Sequence, residues 1–247
     1  MQRYFIAKKQ IRNGLVTFTS DDAHHIQRVM RMDVGEKIII CNEDGVCHIA
    51  ILVEMGEKVV ARIFEPLTTV TEMPVQVTIA QGLPKGDKLE LVLQKGTECG
   101  AFSFIPVAME RSVVRLDPIK SLKKLERWQK IAKEAAEQSH RQRVPQVHPV
   151  TPFSAFLQMS GEFDLKLFAF EETAKSGEMP QLKESLAQMA PGSSILVVVG
   201  PEGGISPKEA VALMGAGFLP CALGPRILRT ETAPLYILSA VSYAMEL

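Results

Sequence analysis

The chain has 247 residues, 46% of them hydrophobic, and its 28 basic residues balance its 28 acidic ones. This length exceeds the about 100 to 200 residues of a typical domain and predicts two domains. Zero net charge excludes a general electrostatic attraction to nucleic acid, so any basic surface is expected to be local. No apolar run reaches the roughly 18 residues of a membrane span, and the first residues lack a signal peptide's apolar core, so we expect a cytosolic protein.

The first 72 residues are predicted to form a small β-rich domain. Strand patterns cover residues 14–19, 37–41, 46–53 and 58–64. Asn42 to Gly45 form a hairpin turn between two of these strands. One helix is expected after Ser20, which would be its N-cap, with acidic residues favourably placed in the first turn. Short strands at such close spacing favour a small barrel.

Cysteine and histidine spacing gives no metal signature. The four cysteines form no C-x-x-C pair and are Cys41, Cys47, Cys99 and Cys221. We expect free, buried thiols in a reducing cytoplasm. His24 and His25 have no further ligand at a useful spacing, so they are interpreted as surface or capping residues and no metal is expected.

A short polar connector at residues 65–74 contains prolines near both ends, and we place the domain boundary between residues 72 and 73. Strand 75–80, helix 89–98 and strand 102–107 then alternate. This alternation predicts a mostly parallel α/β sheet in residues 73–247. Lys85 and Lys88 lie in the loop after the first of these strands, where simple solvation and ligand contact both remain open.

Residues 111–143 hold a local positive charge that the whole chain conceals. They contain ten basic and four acidic residues, a net charge of +6. A helix is predicted at 121–139, with Trp128 on its apolar face, so Trp128 is interpreted as a core residue and not as a base-stacking platform. The basic residues take the opposite face, as contact with an RNA backbone requires.

The next strand is predicted at residues 164–170 and the next helix at 181–189, before a buried strand at 195–199. Gly200-Pro-Glu-Gly-Gly-Ile-Ser206 follows, and its glycines allow a sharp turn and a close approach to a ligand. Ser206 suits an N-cap and Pro207 a first helical position. In open α/β sheets the ligand crevice lies at the carboxyl ends of the strands, so we expect a ligand site here.

The glycine spacing does not fit two common nucleotide motifs. The segment has no third-position glycine, so it is not G-x-G-x-x-G, and no Lys-Ser/Thr pair makes it a phosphate loop. A dinucleotide fold and an NTPase are therefore not supported.

A second segment near the end of the chain has the same order of a strand followed by a glycine-containing turn. Strand 219–223 is followed by a Gly-Pro turn and by Arg226 and Arg229 in an apolar context. Thr230 or Thr232 is expected to cap the closing helix. Residues 235–245 are apolar nearly all round, so this helix is expected to be buried, against another subunit.

Gly200-Pro-Glu-Gly-Gly-Ile-Ser206 and Leu223-Gly-Pro-Arg-Ile-Leu-Arg-Thr-Glu-Thr-Ala233 resemble the paired signature of the SPOUT class of S-adenosylmethionine-dependent RNA methyltransferases. The chain is most similar to the bacterial 16S ribosomal RNA uridine-N3 methyltransferase family, including at His24-His-Ile-Gln-Arg-Val-Met-Arg31 and Glu137-Gln-Ser-His-Arg-Gln-Arg-Val-Pro145. His140 stands where that family commonly has a small residue.

This resemblance implies an α/β fold with a C-terminal trefoil knot in a mostly parallel sheet and an N-terminal PUA-like, RNA-binding β-barrel. It also implies S-adenosylmethionine as the cofactor, N3 of a uridine in 16S ribosomal RNA as the target, and an obligate homodimer. Two alternatives stay open: a non-catalytic RNA-binding ribosome assembly factor, and a knotted methyltransferase with another target.

The resemblance also implies the residues of the site. Those expected to bind the cofactor are Phe170, Glu171, Gly200, Pro201, Glu202, Gly203, Gly204, Leu223, Gly224, Ile227, Leu228 and Thr232. The candidates for catalysis are Arg226, Arg229 and Glu202. The cations expected to contact RNA are Arg28, Arg31, Lys85, Arg111, Lys123, Arg127 and Arg141. For Arg28 and Arg31, a solvated helix face is the competing interpretation.

Uracil N3 is nucleophilic only as its anion, so the site needs a proton acceptor or a cation beside the pyrimidine oxygens. Glu202 and Glu231 are the carboxylates of the signature, and an arginine with water as the acceptor is equally open. N3 lies on the base-pairing edge, so the target must be unpaired or flipped out.

Overall fold

The computed structural model describes residues 1–114, 118–170 and 181–247, with the side chains of residues 118–120 and 181 left aside. The described chain divides into two units. The N-terminal unit comprises Met1–Glu72 together with Ala136–Val144, and the C-terminal unit comprises Met73–Ala135 together with Pro145–Leu247. The inclusion of residues 136–144 in the first unit was not predicted, because they contain and follow the end of the helix predicted at 121–139.

The N-terminal unit is built on a six-stranded sheet in the order β1-β4-β5-β6-β3-β2. Its strands are β1 (Arg3–Phe5), β2 (Ile11–Arg12), β3 (Leu15–Thr17), β4 (Lys37–Cys41), β5 (Cys47–Glu54) and β6 (Val60–Pro66). The β1–β4 pair is parallel and the other pairs are antiparallel. One core cluster lies on the inner face and includes Tyr4, Ile26, Ile38 and Leu52.

The helix of this unit begins one residue earlier than predicted. Helix α1 covers Ser20–His24, and its N-cap is Thr19, whose hydroxyl accepts a hydrogen bond from the Asp22 backbone at 3.3 Å. The prediction of Ser20 as the cap is therefore wrong, because Thr19 holds the extended backbone conformation that a cap needs. A π-helical turn, His25–Val29, continues the helix, and Arg31 follows with a φ of +53°.

Two of the four cysteines are bonded, which corrects the expectation of free thiols. Cys41 and Cys47 flank the turn of the β4–β5 hairpin and lie directly opposite each other, with Cα atoms 4.1 Å apart. They form a disulfide. The hairpin register causes this proximity, which cysteine spacing alone does not reveal. Cys99 and Cys221 are free.

An internal ion pair holds residues 136–144 in the N-terminal unit. Arg141 is 3% exposed, and its Nε donates to Glu72 Oε1 at 3.0 Å. The Gln142 backbone donates to the same carboxylate at 2.7 Å, and Arg3 Nη1 donates to the Arg141 carbonyl at 2.7 Å. Arg141, expected to contact RNA, is instead a buried structural residue because its guanidinium is committed to Glu72.

The C-terminal unit is built on a parallel sheet, as predicted, in the order β10-β8-β7-β12-β11-β13, with β9 also paired to β8. Its strands are β7 (Gln76–Gly82), β8 (Ser103–Ala108), β9 (Gln146–Val147), β10 (Thr151–Pro152), β11 (Leu165–Ala169), β12 (Ser194–Val199) and β13 (Leu219–Cys221). Strand β12 is central and nearly fully buried, which explains its continuous aliphatic sequence.

Helices accompany this sheet. They are α2 (Lys88–Glu98), α3 (Pro118–Gln138), α4 (Phe153–Met159), α5 (Gln181–Ala187), α6 (Pro207–Gly215) and α7 (Ala233–Met245). Trp128 of α3 is 3% exposed, which confirms it as a core residue. Helix α7 buries Ile237, Leu238 and Val241 but leaves Tyr236 and Tyr243 exposed, so a single chain covers only one side of it.

Helix α3, at 21 residues, is charged along its exposed side. Among the residues that the structure describes, no helix combines the length and the apolar character that crossing a membrane requires.

Candidate functional site

The main cavity of the C-terminal unit lies where three neighbouring strands end. It has a volume of about 790 Å³ and is lined by Ala169 and Phe170 after β11, by residues 199–205 after β12, and by residues that follow β13. This volume falls within the about 300 to 1,000 Å³ of small-molecule sites. The carboxyl-end crevice predicted from the strand and glycine pattern is therefore present.

Most of the residues expected to bind a cofactor or to act in catalysis meet at this cavity. They are Phe170, Gly200, Pro201, Glu202, Gly203, Gly204, Leu223, Gly224, Arg226, Ile227, Leu228 and Arg229. Thr232 is not among the lining residues, and Glu171 lies outside the described residues. The lining also includes Lys88, Thr230 and Glu231, for which we predicted no cofactor contact.

Close packing explains the glycines of the first loop. A Cβ on Gly200 would lie 2.8 Å from the Gly204 carbonyl carbon, and one on Gly203 would lie 2.9 Å from Arg111 Cβ. Gly204 has a φ of +71°, which L side chains rarely adopt. The loop thus folds tightly on itself and turns its backbone toward the cavity.

The helix that follows this loop has the predicted cap. The Ser206 hydroxyl accepts from the Glu209 backbone at 3.3 Å, and Glu209 Oε2 accepts from the Ser206 backbone at 3.0 Å. Glu209 Oε1 also accepts from the Glu110 backbone at 2.8 Å, and the Ser206 hydroxyl donates to Glu110 at 2.9 Å. The end of β8 therefore fixes the start of α6.

A buried hydroxyl joins the two signature loops. Thr230 Oγ1 donates to the Gly200 carbonyl at 2.7 Å and accepts from Gln81 Nε2 at 2.9 Å. Thr230 therefore does not cap the closing helix. Thr232 occupies the cap position but makes no side-chain cap bond. Gln81 was missed; its signal was a polar residue directly after the predicted strand 75–80.

Lys88 bridges the two acidic residues of the signature. Its Nζ donates to Glu202 Oε1 at 2.8 Å and lies 3.6 Å from Glu231 Oε2. Burial acts to raise the pKa of Glu202, but the hydrogen bonds from Lys88 and the Lys85 backbone outweigh it and lower that pKa. The Glu202 hydrogen bond in turn raises the pKa of Lys88. Glu202 is therefore held as a carboxylate.

Glu231 is more deeply placed than Glu202. Its side chain is 13% exposed, against 31% for Glu202. Its buried Oε2 accepts no hydrogen bond within residues 1–114, 118–170 and 181–247. This oxygen is within ion-pair distance of Lys88 Nζ but accepts no hydrogen bond from it.

Three arginines surround the same cavity. Arg226 and Arg229 are exposed, and neither has a carboxylate within 4 Å in the described parts of the chain. Arg111, expected to contact RNA, also lines the cavity and donates from Nη1 to the Gly203 carbonyl at 2.9 Å. Cys221 lies beneath this wall, where burial raises the pKa of its thiol to about 12.

The other cations expected to contact RNA lie outside this cavity. Arg28, Arg31, Lys85 and Lys123 are exposed. Arg127 is exposed but pairs with Glu90 at 2.7 Å. Among the described residues, no group of three or more His, Cys, Asp or Glu side chains is placed to hold a metal ion.

His140, whose role the sequence left open, lines a second cavity within the N-terminal unit. This cavity has a volume of about 390 Å³ and is also lined by Met30, Met32 and Lys37. His140 has a φ of +58°, a conformation in which histidine is enriched among non-glycine residues. No site residue predicted from the sequence lies in this second cavity.

Comparison with known proteins agrees with this geometry. A family model described as an RNA methyltransferase domain matches residues 71–242, and one described as an RNA methyltransferase PUA domain matches residues 18–64. Ribosomal RNA small subunit methyltransferase E of Bacillus subtilis (strain 168) is 49% identical over 253 residues, covering 100% of this chain and 98% of that protein. The chain belongs to the ribosomal RNA small subunit methyltransferase E family.

Solved structures of similar proteins extend over the whole chain. The family's Neisseria gonorrhoeae protein, described as bound to S-adenosyl methionine, has a TM-score of 0.86 at 31% identity and covers 99% of this chain and 98% of that one. A Legionella pneumophila putative methyltransferase in complex with the same cofactor has a TM-score of 0.84 at 30% identity, covering 98% and 97%. The fold described above is therefore that of the methyltransferase family.

Proposed function

We propose that this protein transfers a methyl group from S-adenosylmethionine to N3 of one uridine in the 16S ribosomal RNA of the small ribosomal subunit. The observation that carries this proposal is the cavity at the ends of β11, β12 and β13. Its walls are the two signature loops, in a chain 49% identical to a small subunit methyltransferase. Membership of the family supports methyl transfer as the reaction, and the cavity is the site at which we propose that it takes place.

The residues of the cavity fit the cofactor. Gly200, Gly203 and Gly204 line the cavity, so at these positions its wall consists of backbone without side chains. When bound, S-adenosylmethionine supplies an electrophilic methyl group on a sulfonium. We assign its binding to Phe170, the 200–204 loop and the 223–228 loop, and keep Glu171 and Thr232 as secondary candidates.

The chain's own contribution to the chemistry is orientation and proton removal. Orientation of two reactants accounts for a large part of many enzymatic barriers. Arg226 and Arg229 have no carboxylate partner in the described chain, so their charge is available to the uracil oxygens as N3 loses its proton. They serve as the cations that stabilise the uracil anion.

We assign proton removal to Glu231 in preference to Glu202. Glu202 is committed to Lys88 and to the Lys85 backbone, and these hydrogen bonds lower its pKa after offsetting its burial. Glu231 keeps one buried oxygen without a hydrogen bond. Glu202 then serves to hold Lys88, and Lys88 holds Glu231 at the wall.

The proposed substrate is a folded particle with an unpaired base, because N3 is blocked within a base pair. Residues 1–72 are proposed as the PUA-like RNA-binding domain and residues 73–247 as the methyltransferase domain. The side chains proposed to contact phosphates are Arg28, Arg31, Lys85, Arg111, Lys123 and Arg127. Because the proposed substrate is the small ribosomal subunit, we propose that the protein acts in the cytoplasm.

The decisive experiment incubates the purified protein with labelled S-adenosylmethionine and small ribosomal subunits from cells that lack the enzyme. Digestion of the RNA should yield N3-methyluridine at one position. Arg226→Ala and Arg229→Ala should reduce turnover while cofactor binding survives. Cofactor binding without transfer to particles or bare RNA would instead favour an assembly factor, and a different methylated nucleoside would discard the uridine target.

A further inference from the structure

The outer face of the N-terminal sheet carries an exposed aromatic ring beside two cations. Phe64 of β6 is 56% exposed, and Lys37 Nζ lies 4.9 Å from its ring centroid. The strand register aligns Lys37, Ile51 and Arg62 across β4, β5 and β6. Arg62 is exposed and two residues from Phe64 on the same strand. We call Lys37, Ile51, Arg62 and Phe64 the outer-face patch.

Phe64 lies beside a β-bulge on the outer face of the sheet. Pairing passes from Ile49 opposite Glu65 directly to Ala50 opposite Ile63, so Phe64 is the extra residue of the bulge. Ala50 and Ile63 pack toward the inner core of the unit. Because side chains alternate along a strand, Phe64 faces away from Ile63, on the same side as Arg62. A bulky aromatic ring is therefore in solvent on a face that also presents two cations.

We propose that the outer-face patch binds an unpaired nucleotide of the RNA substrate, with the base stacked on Phe64 and the flanking phosphates contacted by Lys37 and Arg62. This inference rests on the proposed function, which makes RNA the substrate. Single-stranded RNA is recognised on sheet surfaces through exposed aromatic side chains that stack on its bases. Cations beside the ring follow the phosphate backbone.

Charge on the patch favours RNA over a protein partner. Within the patch itself the charged residues are two cations, and the exposed Glu36 and Glu65 are the sequence neighbours of Lys37 and Phe64. Glu36, next to Lys37, turns its Oε1 to the Asp33 backbone at 2.9 Å. The exposed apolar side chains beside the cations are Phe64 and Leu15, which lies opposite Arg62, and the aromatic ring suits a planar base.

The test measures binding of the full-length protein to a fluorescent single-stranded oligouridine and to an RNA duplex of equal length. Phe64→Leu keeps an apolar side chain but removes the aromatic plane, and Phe64→Trp keeps the plane. We expect Phe64→Leu to weaken single-strand binding about fivefold or more relative to the wild type. Phe64→Trp should keep the wild-type affinity. Duplex binding should change less than twofold, because paired bases cannot stack on the ring.

Salt dependence separates the two kinds of contact. Lys37→Met should reduce the slope of log affinity against log salt by about 0.7, the value for one phosphate contact with a single strand. Phe64→Leu should leave that slope unchanged. With small subunits as substrate, Phe64→Leu should raise the KM for RNA and leave kcat at saturation and cofactor affinity unchanged.

Three outcomes would overturn the proposal. They are wild-type affinity in Phe64→Leu, equal weakening for single strand and duplex, and no wild-type binding to the single strand even at low salt. Wild-type affinity in Phe64→Leu would instead favour contact of the outer-face patch with a protein. Failure of methyl transfer by the wild type would contradict only the proposed function, because the oligonucleotide binding measurement does not depend on methyl transfer.

Discussion

At the scale of single residues, the site depends on how one lysine is shared between two carboxylates. Lys88 lies between Glu202 and Glu231, with Nζ to oxygen distances of 2.8 and 3.6 Å. Both carboxylates were visible in the sequence as candidate bases. Only their different burial and hydrogen bonding distinguish them, because those depend on a lysine more than 110 positions earlier in the chain.

Replacing Glu231 with glutamine should therefore lower kcat by about 100-fold or more, the usual loss when a general base is removed. Glutamine matches the size of glutamate, so cofactor affinity should change by less than threefold. The matched control is Glu202→Gln, which should lower kcat much less. Single-turnover methyl transfer at saturating RNA is the measurement, and a Glu231→Gln rate within threefold of wild type would exclude Glu231 as the base.

At the scale of elements, hydrogen bonds between distant segments fix the loops and the small units. The Gln81, Thr230 and Gly200 contacts join the two signature loops, while Glu72 and Arg141 fasten residues 136–144 to the N-terminal sheet. Burial would raise the pKa of Glu72, but the Arg141 guanidinium and backbone donors outweigh it and lower that pKa. The folded state therefore prefers Glu72 ionised.

This preference gives the N-terminal unit an acid-sensitive stability. Because the pKa of Glu72 is lower in the folded than in the unfolded state, its stabilisation is full above the unfolded value of about 4.3 and is lost as pH falls through the folded value. At pH 7, Glu72→Gln should cost about 3 kcal/mol, because it leaves Arg141 buried without its carboxylate. The difference from wild type should shrink at acid pH.

Urea denaturation followed by circular dichroism at several pH values would measure this effect. Asp44→Asn is the control, since it removes only the exposed Lys8–Asp44 pair and should change little. A Glu72→Gln penalty that stays constant from pH 7 to acid pH would contradict the assignment.

At the scale of the whole molecule, the closing helix α7 points to assembly. One side packs Ile237, Leu238 and Val241 into the unit, and the other leaves Tyr236 at 40% and Tyr243 at 75% exposure. Tyrosine is enriched at protein interfaces. We propose that a second copy of the chain covers this side, as the family resemblance implies.

Sedimentation equilibrium should therefore give about twice the 27.2 kDa chain mass. Tyr243→Asp should shift the protein toward the monomer, because a charge on an apolar contact surface is costly to bury. Val70→Asp, which changes a 74% exposed valine of the N-terminal unit, is the control and should keep the wild-type mass. A monomeric wild type at micromolar concentration would contradict this proposal.

The sequence by itself determined the parallel sheet, the core position of Trp128, the Ser206 cap and the glycine loop at the end of β12. These features depend on local propensity, on period and on residues close together in the chain. The two signature segments also identified most of the cavity wall. The trefoil knot stays a prediction from resemblance, since chain threading leaves no periodic trace.

Only the tertiary structure decided which side chains meet. It paired Cys41 with Cys47 through strand register, buried Arg141 against Glu72, moved Arg111 to the cavity wall and gave the Thr230 hydroxyl to Gly200. It also left the Phe64 ring exposed beside Lys37. Each outcome depends on contacts between residues distant in sequence or on strand register, which local patterns do not encode.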